Sequence, residues 1–339
     1  MTKNKLVSVV VVNWNGKEHL EDCFISLKKQ TYSPLELLLI DNASVDGSVE
    51  YMRDSFPVVS VFVNPDNMGF GPAVNRGVKC SRGEYVLFLN NDLYLDERCV
   101  EKMVDMIEDE KVGAVVPKIL YFNDRNKINS FGNVINYLGL ACPKYIDEED
   151  GVHMQVEETA CGGIFLVKRE FFKQVGGFDQ DFFMYHEDHD LSWRIRLSGE
   201  KLVVNPEAVM YHKYHFSKNP KKFYHSEKNR MQLLLKNYQV KTLLLIFPPL
   251  VLVEIAELCF ALTTGWFILK CKSYFEIVCL FPSILKKRRI TRALRRVEDR
   301  KIIRLFVGTL RIGGLKHPLL DKGLSPVLNF YWKLIKSYI

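Results

Sequence analysis

The sequence predicts an α/β fold: a Rossmann-like, mostly parallel sheet flanked by helices, with a C-terminal helical region of different character. Over the first 120 residues, near-continuous apolar runs of strand length alternate with amphipathic helical windows. That is the pattern of a parallel sheet covered on both faces. Four successive apolar runs end in Asn, Asp or Gly clusters, and such sheets bind ligands at the carboxyl ends of their strands. Beyond residue 240 the chain turns strongly apolar and then basic.

Val7–Val12 reads as the first strand and ends in Asn13-Trp14-Asn15-Gly16. A helix over Lys17–Gln30 leads to the second strand, Leu35–Ile40, which ends in Asp41-Asn42-Ala43-Ser44. After a helix at Ser48–Ser55, the third strand, Val58–Val63, is followed by Asn64-Pro65-Asp66-Asn67-Met68-Gly69-Phe70-Gly71. A helix at Ala73–Ser81 precedes the fourth strand, Glu84–Leu89, which ends in Asn90-Asn91-Asp92. Glu97–Asp109 reads as a helix and Val112–Val116 as a strand. One polar strand end is a turn; four on one rim make a ligand crevice. Residues 118–215 are less regular. They hold a helix at Glu187–Ser198, stopped by Gly199, and strands at Lys201–Val204 and Ala208–Tyr211.

The apolar run Leu243–Leu269 is broken by Pro248, Pro249, Glu254, Glu257 and Gly265. A clean span wants about 20 apolar residues, and carboxylates at the bilayer centre are expensive. Helices lying in or dipping into the membrane interface are therefore expected, with a true span or re-entrant hairpin as the alternative. Lys270–Lys301 carries 11 Lys/Arg and 3 Asp/Glu, a net of +8 against +7 for the whole chain. Basicity confined to one segment beside an apolar run points to anionic lipid and away from nucleic acid. The eight cysteines show no C-x-x-C spacing, which argues for reduced thiols in a cytosolic setting. No cleavable signal peptide is expected, because a polar turn follows the first apolar run too soon.

Four residues carry candidate chemistry. Asp92 is a carboxylate at a strand end, suited to holding Mg²⁺ or Mn²⁺ on a diphosphate; the bland reading is a turn. Asp41 follows the second strand, where a carboxylate can bond ribose or base or simply make an Asx turn. Asp188, in "HEDHDLSWR", is a candidate general base, or part of an acidic first turn favoured by the helix dipole. His212 ends a strand and can complete an oxygen–nitrogen cation site, with His215 as competitor. A zinc cluster built on His186 and His189 is not expected, since the neighbourhood in sequence offers no cysteine. Gly162-Gly163 allows backbone to approach a sugar or makes a tight strand start.

The stretches "VSVVVVNWNG", "LLLIDNASVDGS", "NPDNMGFGPAVNRG", "VLFLNND", "ACGGIFLVKREFFKQVGGFDQDFFMYHEDHDLSWRIR" and "AVMYHKYH" together resemble family 2 glycosyltransferases of the GT-A fold. They are nearest the rhamnosyltransferase-like branch that builds cell-surface glycans. The resemblance covers roughly residues 5 to 240. It implies inverting transfer of a sugar, with a lean to rhamnose, from a nucleotide-diphosphate donor to a hydroxyl of a glycan or lipid-linked acceptor. Asp41 matches the nucleoside-contacting carboxylate, and Asn67, Gly69 and Asn75 the loop and helix beside the donor. Asp92 falls on the last acid of the D-x-D motif, the metal ligand. Asp188 matches the second acid of the E-D motif, the base, and His212 the histidine that completes the metal site. Asn13, Asn90, Asn91, Gly163 and Glu187 complete the expected donor-binding set. One departure stands out: Asn90 replaces the first D-x-D acid, so one carboxylate contact is lost.

Residues 1–240 are thus expected to form the catalytic domain and 241–339 a membrane-associating helical region at the cytoplasmic face. Self-association through that region is the other use open to it. Three rivals are weaker. A sugar-nucleotide nucleotidyltransferase wants a basic Gly-rich loop after the first strand, and none precedes Lys17. A non-catalytic scaffold has no need of Asp92, Asp188 and His212 together. A processive synthase wants Gln-x-x-Arg-Trp and several clean spans, which are missing.

Overall fold

The structure is a computed structural model and describes residues 4–151, 154–213, 221–310 and 319–339. In chain order the first elements are β1 (Val7–Asn13), α1 (Lys17–Lys28), β2 (Leu35–Asp41), α2 (Ser48–Ser55), β3 (Ser60–Val63), α3 (Phe70–Cys80) and β4 (Tyr85–Asn90). Then come β5 (Leu93–Leu95), α4 (Cys99–Ile107), β6 (Val112–Tyr121), β7 (Ile128–Phe131), β8 (Asn133–Asn136), β9 (Ala141–Pro143), β10 (Glu157–Glu158) and β11 (Phe165–Lys168). The chain continues through α5 (Arg169–Gln174), α6 (Glu187–Leu197), β12 (Lys201–His212), α7 (Lys221–Asn237), α8 (Val240–Thr264) and α9 (Phe267–Leu294). It closes with α10 (Asp299–Ile302), β13 (Phe306–Val307) and α11 (Ser325–Ile335).

The main sheet has the order β10-β12-β6-β11-β4-β1-β2-β3, with β5 on β12 and β7 on β6. β1 is parallel to both β2 and β4, and all seven of its residues are buried, as expected of a β-branched run covered on both faces. One apolar core lies on each face of the sheet. The strands expected at Lys201–Val204 and Ala208–Tyr211 are one strand, β12, whose register against β6 slips between Asn205 and Val209. Pro206 lies in that gap and has no N–H for the ladder.

A third core joins the C-terminal helices to the rest of the fold through Tyr137, Trp193, Leu233, Ile246 and Trp332, and β13 pairs with β8. α8 is long and apolar enough to cross a membrane by length and composition. Pro249 leaves the carbonyl of Leu245 without its helical partner, and the Tyr331 hydroxyl of α11 donates to that oxygen at 2.9 Å. Glu254 and Glu257, which interrupt the apolar run in sequence, turn inward. They meet Arg230 and Lys270, with Glu227, in a buried ionic cluster between α7, α8 and α9.

Candidate active site

The sheet register sets the rim. Asn13 pairs with Asp41, and Val12 with Asn90, so three parallel strands end level. Asp41 is fully buried. Its Oδ1 accepts from Ser44 N–H and its Oδ2 from the Asn13 amide, both at 2.8 Å. Asn13 in turn accepts from the Asn91 amide at 2.6 Å, so one side chain links the ends of β1, β2 and β4. Gly16 makes room for this: a Cβ there would stand 2.0 Å from Asn91 Nδ2. The next layer repeats the device. Asn64 donates to Asn42 at 2.6 Å, and Asn42 donates to the Gly69 carbonyl at 3.2 Å. Asn67 accepts from Gly69 N–H in an Asx turn. Asn75 commits both ends of its amide to Phe178, so it ties α3 to the segment leading into the E-D motif. Beside the loops after β1 and β2 lies an open cleft of about 560 Å³, lined by Asn15, Lys17, Glu18, Glu21, Asp46 and Tyr51.

Asp92 and His212 meet where β5 pairs with the end of β12. His212 Nε2 lies 3.2 Å from Asp92 Oδ2, and its Nδ1 lies 2.9 Å from Asn129 Oδ1. An amide oxygen only accepts, so Nδ1 carries a proton, and in the neutral ring Nε2 presents a lone pair to the carboxylate. Two such acceptors want a proton or a metal cation between them. Asp92 Oδ1 is also buried with no hydrogen-bond partner. One carboxylate, one imidazole and the oxygens of a phosphate fit Mg²⁺ or Mn²⁺. Asn129 was not singled out from the sequence. It lies 83 residues from His212 and reaches it only because β7 and β12 both pair with β6. His215 lies outside the described residues. Asn90 ends β4 exposed.

Asp188 sits in the first turn of α6, after two left-handed residues, Tyr185 and His186. Non-glycine residues in that region are strained and need outside support. The Asn229 amide of α7 supplies it, donating to the carbonyls of Met184 and Tyr185 at 2.9 and 2.8 Å. Asp188 Oδ1 accepts from His189 N–H at 2.9 Å. Glu187 Oε2 is enclosed without a hydrogen-bond partner; burial, then the charge of Asp188, pushes its carboxyl up to about 8. β11 runs antiparallel to β4 with Phe165 opposite Phe88, so two residues upstream Gly163 comes level with Asn90. A Cβ on Gly163 would meet Asp188 Oδ2 at 3.8 Å. Asp188 and the Asn90–Asp92 end therefore belong to one rim. Gly162 instead packs against Val116, where a Cβ would stand at 2.5 Å.

A sheet that brings amide-linked strand ends, a carboxylate–imidazole pair and a helix-borne acid to one rim defines an α/β group transferase. The chain belongs to glycosyl transferase family 2, whose model matches residues 8–176; a model described as the N-terminal domain of galactosyltransferase matches residues 149–218. It is 30% identical over 237 residues to N-acetylglucosaminyl-diphospho-decaprenol L-rhamnosyltransferase of Mycobacterium tuberculosis, covering 62% of this chain and 77% of that one. Two solved structures share the fold. A mannosyltransferase from Pyrobaculum calidifontis in complex with GDP-Man and Mn²⁺ is 18% identical with a TM-score of 0.52, covering 86% of each chain. GalNAc-T7 with UDP, GalNAc and Mn²⁺ is 19% identical with a TM-score of 0.57, covering 71% of this chain and 49% of that one. The chain is thus a GT-A glycosyltransferase.

Proposed function

We propose that this glycosyltransferase moves a sugar, rhamnose before others, from a nucleotide-diphosphate donor to a hydroxyl of a glycan or lipid-linked acceptor, with inversion. The observation that carries this reading is the shared rim: Asp188 lies within reach of Gly163, which comes level with Asn90, and the same strand end runs on to Asp92 and its partner His212. Asp92 and His212 would hold Mg²⁺ or Mn²⁺, which supplies countercharge to the departing diphosphate. The Asn13–Asp41–Asn91 network fixes the strand ends under the nucleotide, and Glu187, carrying its proton at neutral pH, offers an O–H to a sugar oxygen. Asp188 takes the proton of the acceptor hydroxyl as that oxygen attacks the anomeric carbon from the face opposite the diphosphate, the geometry of inverting displacement. The Mycobacterium rhamnosyltransferase supports the sugar and a lipid-linked acceptor, and the two structures with nucleotide and Mn²⁺ support the donor class and cation.

The C-terminal helices fit a membrane surface. Leu244, Phe247, Ile255 and Leu262 on α8, Ile268, Phe275 and Val278 on α9, and Val327, Phe330 and Leu334 on α11 are exposed, while Glu254 and Glu257 turn inward. Lys286, Arg289, Arg292 and Arg296 are exposed nearby. An apolar helix face flanked by basic residues suits the interface of an anionic membrane, and the cytoplasmic face follows from a nucleotide-sugar donor.

The test is Asp188→Asn, after a thermal-shift screen of UDP-, GDP- and dTDP-sugars with and without Mn²⁺ has identified the donor. The amide can still accept from His189 N–H, so the fold and donor affinity are expected to persist. Loss of a general base should lower turnover about 10²- to 10⁴-fold. Turnover within threefold of wild type would remove Asp188 from the role.

A further inference from the structure

His186 and His189 gain from the fold what their sequence neighbourhood denies them. Cys161, fully buried, comes from the segment before β11 and sets its Sγ 4.0 Å from Asp188 Oδ2. His189 Nε2 lies 3.7 Å from the same oxygen. The sulfur, one carboxylate oxygen and one ring nitrogen all lie within 4.8 Å of one another. We propose that Cys161, Asp188 and His189 form a site for a thiophilic divalent cation of the Zn²⁺ class, separate from the hard-cation pair Asp92 and His212. The consequence rests on the transferase reading: a cation held there occupies the carboxylate assigned as base and stops transfer. The site itself does not depend on that reading.

Donor chemistry sorts the two sites. Thiolate and imidazole favour Zn²⁺, while carboxylate, phosphate and a single imidazole suit Mg²⁺ or Mn²⁺. Tetrahedral Zn²⁺, with bonds of about 2.0 to 2.3 Å, separates its ligand atoms by roughly 3.5 Å. Side-chain rotations that draw the three donors inward by a few tenths of an ångström to about 1 Å would therefore close the site. Asp188 and His189 keep 19% and 12% of their side chains exposed, which leaves a path from solvent and a fourth position for water.

The histidine is already turned for ligation. His189 Nδ1 lies 2.9 Å from His186 Nδ1, and His186 Nε2 lies 3.1 Å from Ser226 Oγ. If His189 donated through Nε2, that hydrogen would face Asp188 across 3.7 Å, too far for a hydrogen bond. The order that satisfies the chain is His189 Nδ1–H to His186, then His186 Nε2–H to Ser226. Nε2 of His189 then presents its lone pair toward Asp188 and Cys161, with His186 as the outer partner that metal-bound histidines use. Charge also balances: the ion displaces the Cys161 proton to solvent, and thiolate plus carboxylate cancel its two positive charges. The other acidic cluster, Glu227, Glu254 and Glu257, differs in being filled by Arg230 and Lys270.

Cobalt substitution of the full chain tests this without any sugar donor. One equivalent of Co²⁺ should give a near-ultraviolet thiolate-to-metal band and visible tetrahedral bands, abolished by Zn²⁺ and untouched by Mg²⁺. Cys161→Ala should lose the near-ultraviolet band, and Cys161→Ser provides the smaller change should the alanine variant fail to fold. His189→Ala should weaken Co²⁺ binding at least about tenfold, the loss that removal of even an outer partner brings in zinc sites. A combined Cys259→Ser, Cys271→Ser, Cys279→Ser variant, lacking the exposed thiols, should keep the band. A band that survives Cys161→Ala, or no band in the wild type, overturns the proposal. Co²⁺ ligation together with full transfer by Asp188→Asn would leave the site standing and refute the base instead.

Discussion

Gly69→Ala and Gly163→Ala put one methyl group at two points of the same rim, with opposite expectations. Gly69 has φ +86° and ψ 175°, a conformation almost confined to glycine, worth about 1–3 kcal/mol of strain for alanine. Its added Cβ would stand 2.1 Å from the Phe183 carbonyl oxygen, against 3.4 Å for ordinary contact, a shortfall of 1.3 Å (3.4 minus 2.1). Both sides of that contact are backbone, so no rotamer relieves it, and forced repacking adds about 1–3 kcal/mol. The sum, about 2–6 kcal/mol, is a large part of the roughly 5–15 kcal/mol that holds a typical protein folded. Gly163 is not left-handed, and its Cβ would meet only Asp188 at 3.8 Å. Alanine there should be neutral or stabilising by up to about 1 kcal/mol, through reduced freedom of the unfolded chain. Urea unfolding followed by tryptophan fluorescence measures both. The reasoning fails if Gly69→Ala stays within 1 kcal/mol of wild type, or if Gly163→Ala loses as much as Gly69→Ala.

Asn129→Leu removes the acceptor that fixes the His212 tautomer, so Mn²⁺ affinity should fall about 10- to 100-fold. Electron paramagnetic resonance of free Mn²⁺ reads this, and Asn129→Asp should restore binding; equal affinity in all three proteins would exclude a positioning role. Glu187 holds its proton to about 8 when folded and releases it near 4.5 when unfolded. Between those values the unfolded state binds fewer protons, so stability falls as pH rises, by up to about 5 kcal/mol. Glu187→Gln should flatten that slope in urea titrations from pH 5 to 8, and an unchanged slope would disprove the shift. The full chain should pellet with anionic vesicles and release in high salt, each basic residue near the surface contributing about 1 kcal/mol; indifference to lipid charge would refute interfacial docking.

The first sheet was legible because β1 and β4 are apolar runs buried on both faces, and β2 and β3, though partly exposed toward the sheet edge, are apolar enough to continue the alternation with helices. The rim was legible too, since Asn13 and Asp41 follow such runs directly and Asp92 follows one after Asn90 and Asn91. What sequence could not supply was contact made across the sheet. Asn129 meets His212 over 83 residues, and Cys161 meets Asp188 over 27, through strand pairings that no local pattern encodes. The short strands β7 to β10 lack the length for a period to show. Asn75 shows the converse limit: its place in the loop-helix motif was readable, but its commitment to Phe178 was not.

The charges of the C-terminal region teach a related point. Read along the chain, Glu254 and Glu257 spoil an apolar run, and Lys270 joins a basic stretch. In three dimensions they neutralise one another with Glu227 and Arg230 of α7, the helix whose Asn229 and Ser226 brace the strained turn before Asp188. Lys287 reaches back to Asp179 and Asp181, and Arg288 and Arg295 donate to the carbonyls of Leu235 and Asn237 at the end of α7. Lys270, Lys287, Arg288 and Arg295 of the basic segment are therefore engaged internally, and the helices proposed to meet a membrane share a wall with the proposed base. Breaking one partner of such a buried cluster typically removes about 3–5 kcal/mol. Lys270→Met should thus disturb the turn at Tyr185–His186 although it lies on another helix, which would show as lost donor turnover at unchanged Mn²⁺ affinity. Full turnover in a destabilised Lys270→Met chain would mean that α7 holds the catalytic turn without help from α8 and α9.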